Sequence, residues 1–70
     1  MYTIDLWEVA DQHGLRRPLN QNCTDYGDAM KLGIEVEMEH TEMIPVAACI
    51  SAHHLDEHDN YYEVLKSVGL

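Results

Sequence analysis

Pro45 stands between two stretches that each carry apolar residues at helical spacing, and it constrains the fold more than any other feature of the chain. Proline fits the first turn of a helix and breaks its interior, so one helix must end near Thr41 and another begin just after it. At about 100° per residue, Ala29, Leu32, Gly33 and Val36 fall on one arc upstream, while Val46, Ala47 and Ile50 define a second downstream. So short a corner joins antiparallel neighbours. Residues 24–58 are therefore expected to form a helix hairpin. Its first helix starts at Thr24, with Asp25 and Asp28 in a turn where carboxylates favour the helix dipole, and reaches about His40. Its second runs from about Glu42 to His58.

The flanking segments also read as helical, with no strand, repeat or low-complexity tract. Thr3 is placed to cap a helix over residues 3–13 with Leu6, Trp7 and Ala10 on one stripe, and Gly14 suits its left-handed end, with Pro18 soon after. Residues 16–22 have connector chemistry. Asn60 and Glu63 form a capping-box pattern for a last helix bearing Tyr61, Leu65 and Val68. The expected fold is all-α, a small three- to four-helix bundle around the antiparallel hairpin. Residues 1–70 form a single domain: an N-terminal helix and connector at 1–23, the hairpin at 24–58 and a C-terminal helix at 59–70.

Charge narrows the function classes. Thirteen acidic side chains against four basic ones give a formal charge of −9 over 70 residues. Direct nucleic-acid binding draws much of its affinity from Lys and Arg on phosphates, so it is not expected. No apolar run approaches the roughly 18–20 residues that span a bilayer, and the N-terminus lacks the pattern of a signal peptide. A cytoplasmic location without membrane contact is expected, in the host cytoplasm if the protein is phage-encoded. Cys23 and Cys49 form no CxxC pair and read as small buried thiols rather than a staple. A domain this short extracts only about 3–5 kcal/mol from its core, so confining so many carboxylates raises a stability problem.

The hairpin carries a pattern that bears on that problem. His40 falls in the middle of the first arc and Glu37 at its edge, spaced Glu-x-x-His so that the two neighbour each other. The same period puts His54 and Glu57 on the second arc, spaced His-x-x-Glu. A single such pair is ordinarily a surface glutamate beside a hydrogen-bonded histidine. Two pairs on facing arcs read as a ligand set: Glu37, His40, His54 and Glu57 offer two imidazoles and two carboxylates, suited to Zn²⁺ first and also to Mn²⁺ or Fe²⁺. Helix-borne Glu-x-x-His pairs likewise build the di-iron sites of four-helix bundles. Arg16, Arg17, Lys31 and Lys66 are scattered, whereas a divalent ion would neutralise both inward carboxylates and its binding would count toward folding. The competing expectation leaves these carboxylates partly exposed or bonded to histidine and tyrosine hydroxyl groups.

The neighbours have less distinct roles. Glu39 is expected to be a solvated charge; the alternative makes it a further ligand or a support for a histidine's other nitrogen. His53 and His58 border the second arc as surface histidines, and Glu35 faces solvent. Tyr61 and Tyr62 are expected to pack on the hairpin with their hydroxyls at its polar end, where Tyr61 is within reach of the site.

The stretch from Gly33 through Glu37, Glu39 and His40, followed by His54-Leu55-Asp56-Glu57 and by Tyr61-Tyr62 with Leu65, resembles a family of short uncharacterised proteins from bacteriophages and bacteria. Its pattern is Gly-x-x-Val-Glu-x-Glu-His and then His-Leu-x-Glu-x-x-x-Tyr-Tyr-x-x-Leu, and the resemblance covers about residues 33–65. It implies that Glu37, Glu39, His40, His54, Glu57, Tyr61 and Tyr62 are the polar signature, and it implies a phage-type origin without an established activity. Thr41 stands where that pattern commonly has glycine, and the join between the motifs is shorter.

The leading functional expectation is a metal-binding helical protein whose ion clamps the hairpin while the acidic surface binds a host or phage protein. A homodimer would turn the same residues into a two-metal centre. The alternative is an acidic interaction or host-inhibitor module, with charge resembling that of nucleic acid and no dependence on metal. Metal-dependent hydrolysis, with Glu39 as base, ranks third, because no nucleophile arrangement, phosphate-cradling loop or cofactor fingerprint accompanies it.

Overall fold

A computed structural model describes residues 4–69. Helix α1 spans Leu6–His13, a single 3-10 turn spans Cys23–Tyr26, and α2, α3 and α4 span Asp28–Glu37, Ile44–Glu57 and Tyr61–Ser67. The fold is all-α: α2 and α3 form the hairpin, α1 packs on α3 and α4 packs on α2. Among the described residues the only strand-like pairing is an isolated bridge between Asp5 and Asn22, and no helix is long and apolar enough to cross a membrane.

The helix ends follow local chemistry. Thr3, the expected first cap, lies outside the described residues; Asp5 caps α1, its Oδ1 accepting from the backbone N–H groups of Trp7 and Glu8 at 3.1 Å each. Hydrogen bonds from the Glu8 amide and the Gln21 side chain hold the Asp5 carboxyl below its ordinary range. Gly14 ends α1 in the left-handed region at φ 67°, as its position predicts. The expected helix over 24–40 is broken: Gly27, at φ 70° and ψ −154°, separates the 3-10 turn from α2. Beyond Glu37 the chain tightens into i→i+3 bonds, Glu39 N–H to Val36 O and His40 N–H to Glu37 O. Pro45 sits in the first turn of α3. Asn60 precedes α4 without a capping hydrogen bond, because its φ −105° and ψ 17° depart from the extended backbone that aims a cap side chain at the helix.

The buried residues of α3 are Ala47, Ala48, Cys49, Ser51, Ala52 and Leu55, and those of α2 are Met30, Gly33, Ile34 and Glu37. Small side chains on α3 let α1 and α2 pack closely on it. Leu6, Cys23, Met30, Ile34, Leu55 and Tyr62 complete the larger core cluster around these alanines, and Val9, Ala10 and Cys49 form a second. Both cysteines are buried.

Relative to the arcs expected from sequence, both hairpin helices are turned by about one residue, or roughly 100° on the wheel. Ala29, Leu32, Val36, Val46 and Ile50 are only half-buried. This rotation decides where the candidate ligands point.

Candidate functional site

Rotation of α2 carries Glu37 from the edge of the expected arc into the buried stripe, where it is 9 % exposed. His40, expected in mid-arc, is exposed in the turn after α2. On α3 the same rotation leaves His54 half-buried and Glu57, the last helical residue, exposed. The structure thus brings Glu37 and His54 together, His54 Nε2 lying 3.7 Å from Glu37 Oε2, and it does not bring His40 and Glu57 to them. Antiparallel geometry accounts for the difference. Gly33 faces Ser51, so His40 lies toward the start of α3 while Glu57 lies at its far end, about 20 Å along an axis rising ~1.5 Å per residue. Helical side chains lean toward their own N-terminus; Glu37 leans back toward Gly33 and His54 back toward Ser51, and the two meet near the level those residues share.

A tyrosine completes this meeting point. Tyr62 is 1 % exposed, and its hydroxyl donates to Glu37 Oε2 at 2.7 Å. Its ring lies against the α2 backbone in space that only a glycine leaves open, since a Cβ on Gly33 would come within 2.7 Å of Tyr62 Cε2. Burial first, and then the bond to the Glu37 carboxylate, push the Tyr62 hydroxyl far above the ordinary phenol range, so it remains a donor. The Tyr61 ring stacks on His54, with centroids 4.4 Å apart and planes 3° from parallel. Both tyrosines pack on the hairpin as their positions predict, and Glu37 is bonded to a tyrosine hydroxyl, part of the competing expectation from the sequence, with the His54 imidazole beyond hydrogen-bond distance at 3.7 Å.

A divalent ion would find two donors here, Glu37 Oε2 and His54 Nε2. Among the described residues no group of three or more His, Cys, Asp or Glu side chains is arranged to hold a metal, and Glu37 already accepts from Tyr62. Glu39, His58 and Glu35 are exposed.

Sequence reasoning missed a second polar cluster, which straps the connector to α3. Asp56 accepts from the Tyr26 hydroxyl at 2.6 Å and from the Leu19 N–H at 3.0 Å, while the Tyr26 oxygen accepts from Asn20 N–H. His53 Nε2 lies 2.5 Å from the Arg16 carbonyl. A carbonyl only accepts, so this nitrogen carries the proton, and His53 straps the connector to α3 from a half-buried position at the surface. Trp7 adds an indole N–H bond to Pro18 O at 2.9 Å. A signal existed in the spacing of His53 and Asp56, i and i+3 on one face of α3; their partners on a connector 37 residues earlier had none.

No protein-family model matches the chain, and neither a curated protein nor a solved structure shows significant similarity to it.

Proposed function

We propose that this chain is an acidic protein-interaction module that engages a basic protein surface, with the Glu37–Tyr62–His54 cluster serving to hold the hairpin and α4 together. The observation that carries this reading is the placement of charge. Of the thirteen carboxylates, all but Asp5, Glu37 and Asp56 are exposed, and among the described residues Asp11, bridged to Arg17 at 2.7 Å, is the exposed acid with a cationic partner. A surface so weakly compensated repels phosphates and attracts Lys- and Arg-rich proteins, raising their association rates. The test is capture from an extract of the source cell by the immobilised chain. One defined basic protein should be retained, released by salt, and lost when Glu35, Glu39 and Glu42 are all changed to glutamine with the helical circular dichroism unchanged. Retention indifferent to salt and to those changes overturns the reading.

A metal-dependent reading is favoured by the 3.7 Å separation of Glu37 Oε2 and His54 Nε2, which a bound ion could bridge with small side-chain movements. Glu37 and His54 would hold the ion, while His40 and Glu57 would reach it only after the hairpin ends rearrange. Zn²⁺, Mn²⁺ or Fe²⁺ added to metal-stripped protein should then raise the melting temperature. Loss of that shift in Glu37→Gln and His54→Ala, with retention in His40→Ala and Glu57→Ala, assigns the two-donor nucleus; dependence on all four assigns the full set. Absence of any shift in the unaltered chain excludes a stabilising ion.

A further inference from the structure

We propose that the corner between α2 and α3 is the docking surface for a Lys/Arg-rich amphipathic segment of another protein, with Met43 and Ile44 as the apolar contacts and Glu39 and Glu42 as the charged rim. The proposal rests on the acidic-module reading and adds where the partner binds and what kind of segment it offers.

Met43 is 49 % and Ile44 40 % exposed, two consecutive large apolar side chains at the very start of α3. Glu39 and Glu42 precede them and are themselves exposed. The corner is held in shape from within: Thr41 Oγ1 accepts from the Met43 N–H at 3.2 Å, and Pro45 fixes the first turn of α3. Met43 also occupies the N-cap of α3, with φ −95° and ψ 107°, and makes no capping hydrogen bond. That backbone suits Ser, Thr, Asp or Asn, whose side chains would satisfy a free N–H of the first turn. The sequence places apolar surface where a polar residue would serve the fold better, so the fold alone gives no reason for it.

Charge selects the occupant. A second copy would set two molecules of charge −9 against each other, and like-charge juxtaposition opposes association. A segment with apolar side chains at i, i+3 and i+4 and cations between them matches both components of the corner, and an adaptable methionine suits such helix recognition.

The experiment uses the whole chain and two fluorescent peptides of equal positive charge, an amphipathic Lys/Leu helix and a Lys/Ser peptide without an apolar face, with binding followed by anisotropy. The Lys/Leu peptide should bind more tightly. The double variant Met43→Ser with Ile44→Ser should weaken it by about tenfold or more, as expected for losing two buried apolar contacts, and leave the Lys/Ser peptide unaffected. Val64→Ser with Val68→Ser, which removes exposed apolar surface elsewhere, should change neither. Equal binding of the Lys/Leu peptide by the corner variant and the unaltered chain overturns the docking site while leaving the acidic module standing. Failure of both peptides to bind the unaltered chain overturns the acidic module itself. A dimer seen by sedimentation and dissolved by the corner variant would assign the surface to a second copy instead.

Discussion

At the scale of single residues, Gly33 and Tyr62 are the pair on which the centre of the molecule turns. A helix-interior glycine ordinarily costs about 1 kcal/mol relative to alanine, so Gly33→Ala would stabilise α2 if space allowed. Here the added methyl would lie 2.7 Å from Tyr62 Cε2 and 3.0 Å from Ser51 Cβ, and overpacking of this kind costs roughly 1–3 kcal/mol. Tyr62 cannot swing aside without giving up Glu37. Gly33→Ala should therefore lower stability by about 1–2 kcal/mol net, seen as a fall in melting temperature of roughly 4–8 °C per kcal/mol for a domain this size. Tyr62→Phe should cost about 1–3 kcal/mol by leaving a buried carboxylate without its donor. Adding Glu37→Leu to that variant should recover much of the loss, because replacing both partners is far less damaging than orphaning one. The tyrosine also sets a pH dependence. Its raised folded value means that its stabilising contribution is complete below the ordinary phenol value of 10.0 and is lost as pH rises above it, since the unfolded chain releases the proton first. Denaturant titrations above pH 10 should show a falling stability whose slope is shallower in Tyr62→Phe by up to one proton, about 1.4 kcal/mol per pH unit.

At the scale of elements, the pattern around Pro45 made the hairpin legible, but not its rotation. Val46 and Ile50 look like the centre of an apolar arc because they are large, yet α3 turns Ala48, Ser51, Ala52 and Leu55 inward. It lies between α1 and α2, and small residues are what close packing against two neighbours requires. On α3, reading apolarity by size placed the arc one residue off and moved Glu57 into an imagined core; on α2 the buried stripe of Met30, Gly33 and Ile34 continues into the charged Glu37, whereas the arc of Ala29, Leu32, Gly33 and Val36 carries no charge, which drew His40 inward and left Glu37 at the edge. Glu37, His54, Tyr61 and Tyr62 were all singled out from their spacing, whereas the tertiary straps Asp56–Tyr26 and His53–Arg16 join segments too far apart in sequence for any periodicity to reveal. Gly27 lies inside the helix expected over 24–40, and its positive φ, which no apolar pattern reports, marks the break. The element ends carry a prediction of their own. Met43→Ser should raise stability by about 1 kcal/mol, by capping α3 at a residue whose backbone is already extended. Paired with weaker peptide binding, measured on the same protein, that gain would show apolar surface retained at the expense of stability.

At the scale of the whole molecule, ten exposed carboxylates, the thirteen less Asp5, Glu37 and Asp56, surround a body with principal extents of only 33 × 22 × 21 Å. The Debye length is about 10 Å in 0.1 M salt and about 30 Å in 0.01 M, so at low salt the carboxylates repel one another across the entire molecule. Repulsion is stronger in the compact state than in the expanded chain, and screening should favour folding. The melting temperature should therefore rise steadily with sodium chloride from about 0.01 to 0.5 M. Buried terms such as the Glu37–Tyr62 bond are screened much less and should contribute little to that slope. Replacing Glu35, Glu39 and Glu42 with glutamine should flatten the curve and raise its low-salt end, whereas Tyr62→Phe should lower the whole curve without changing its slope. The same comparison separates diffuse charge from a specific ion. Zinc chloride at micromolar concentration adds almost nothing to the ionic strength, so stabilisation beyond that of matched sodium chloride, and lost on Glu37→Gln, would come from coordination at the hairpin rather than from screening. A response to zinc that merely follows ionic strength would exclude a stabilising ion at Glu37 and His54 and trace the salt effect to screening of the surface carboxylates.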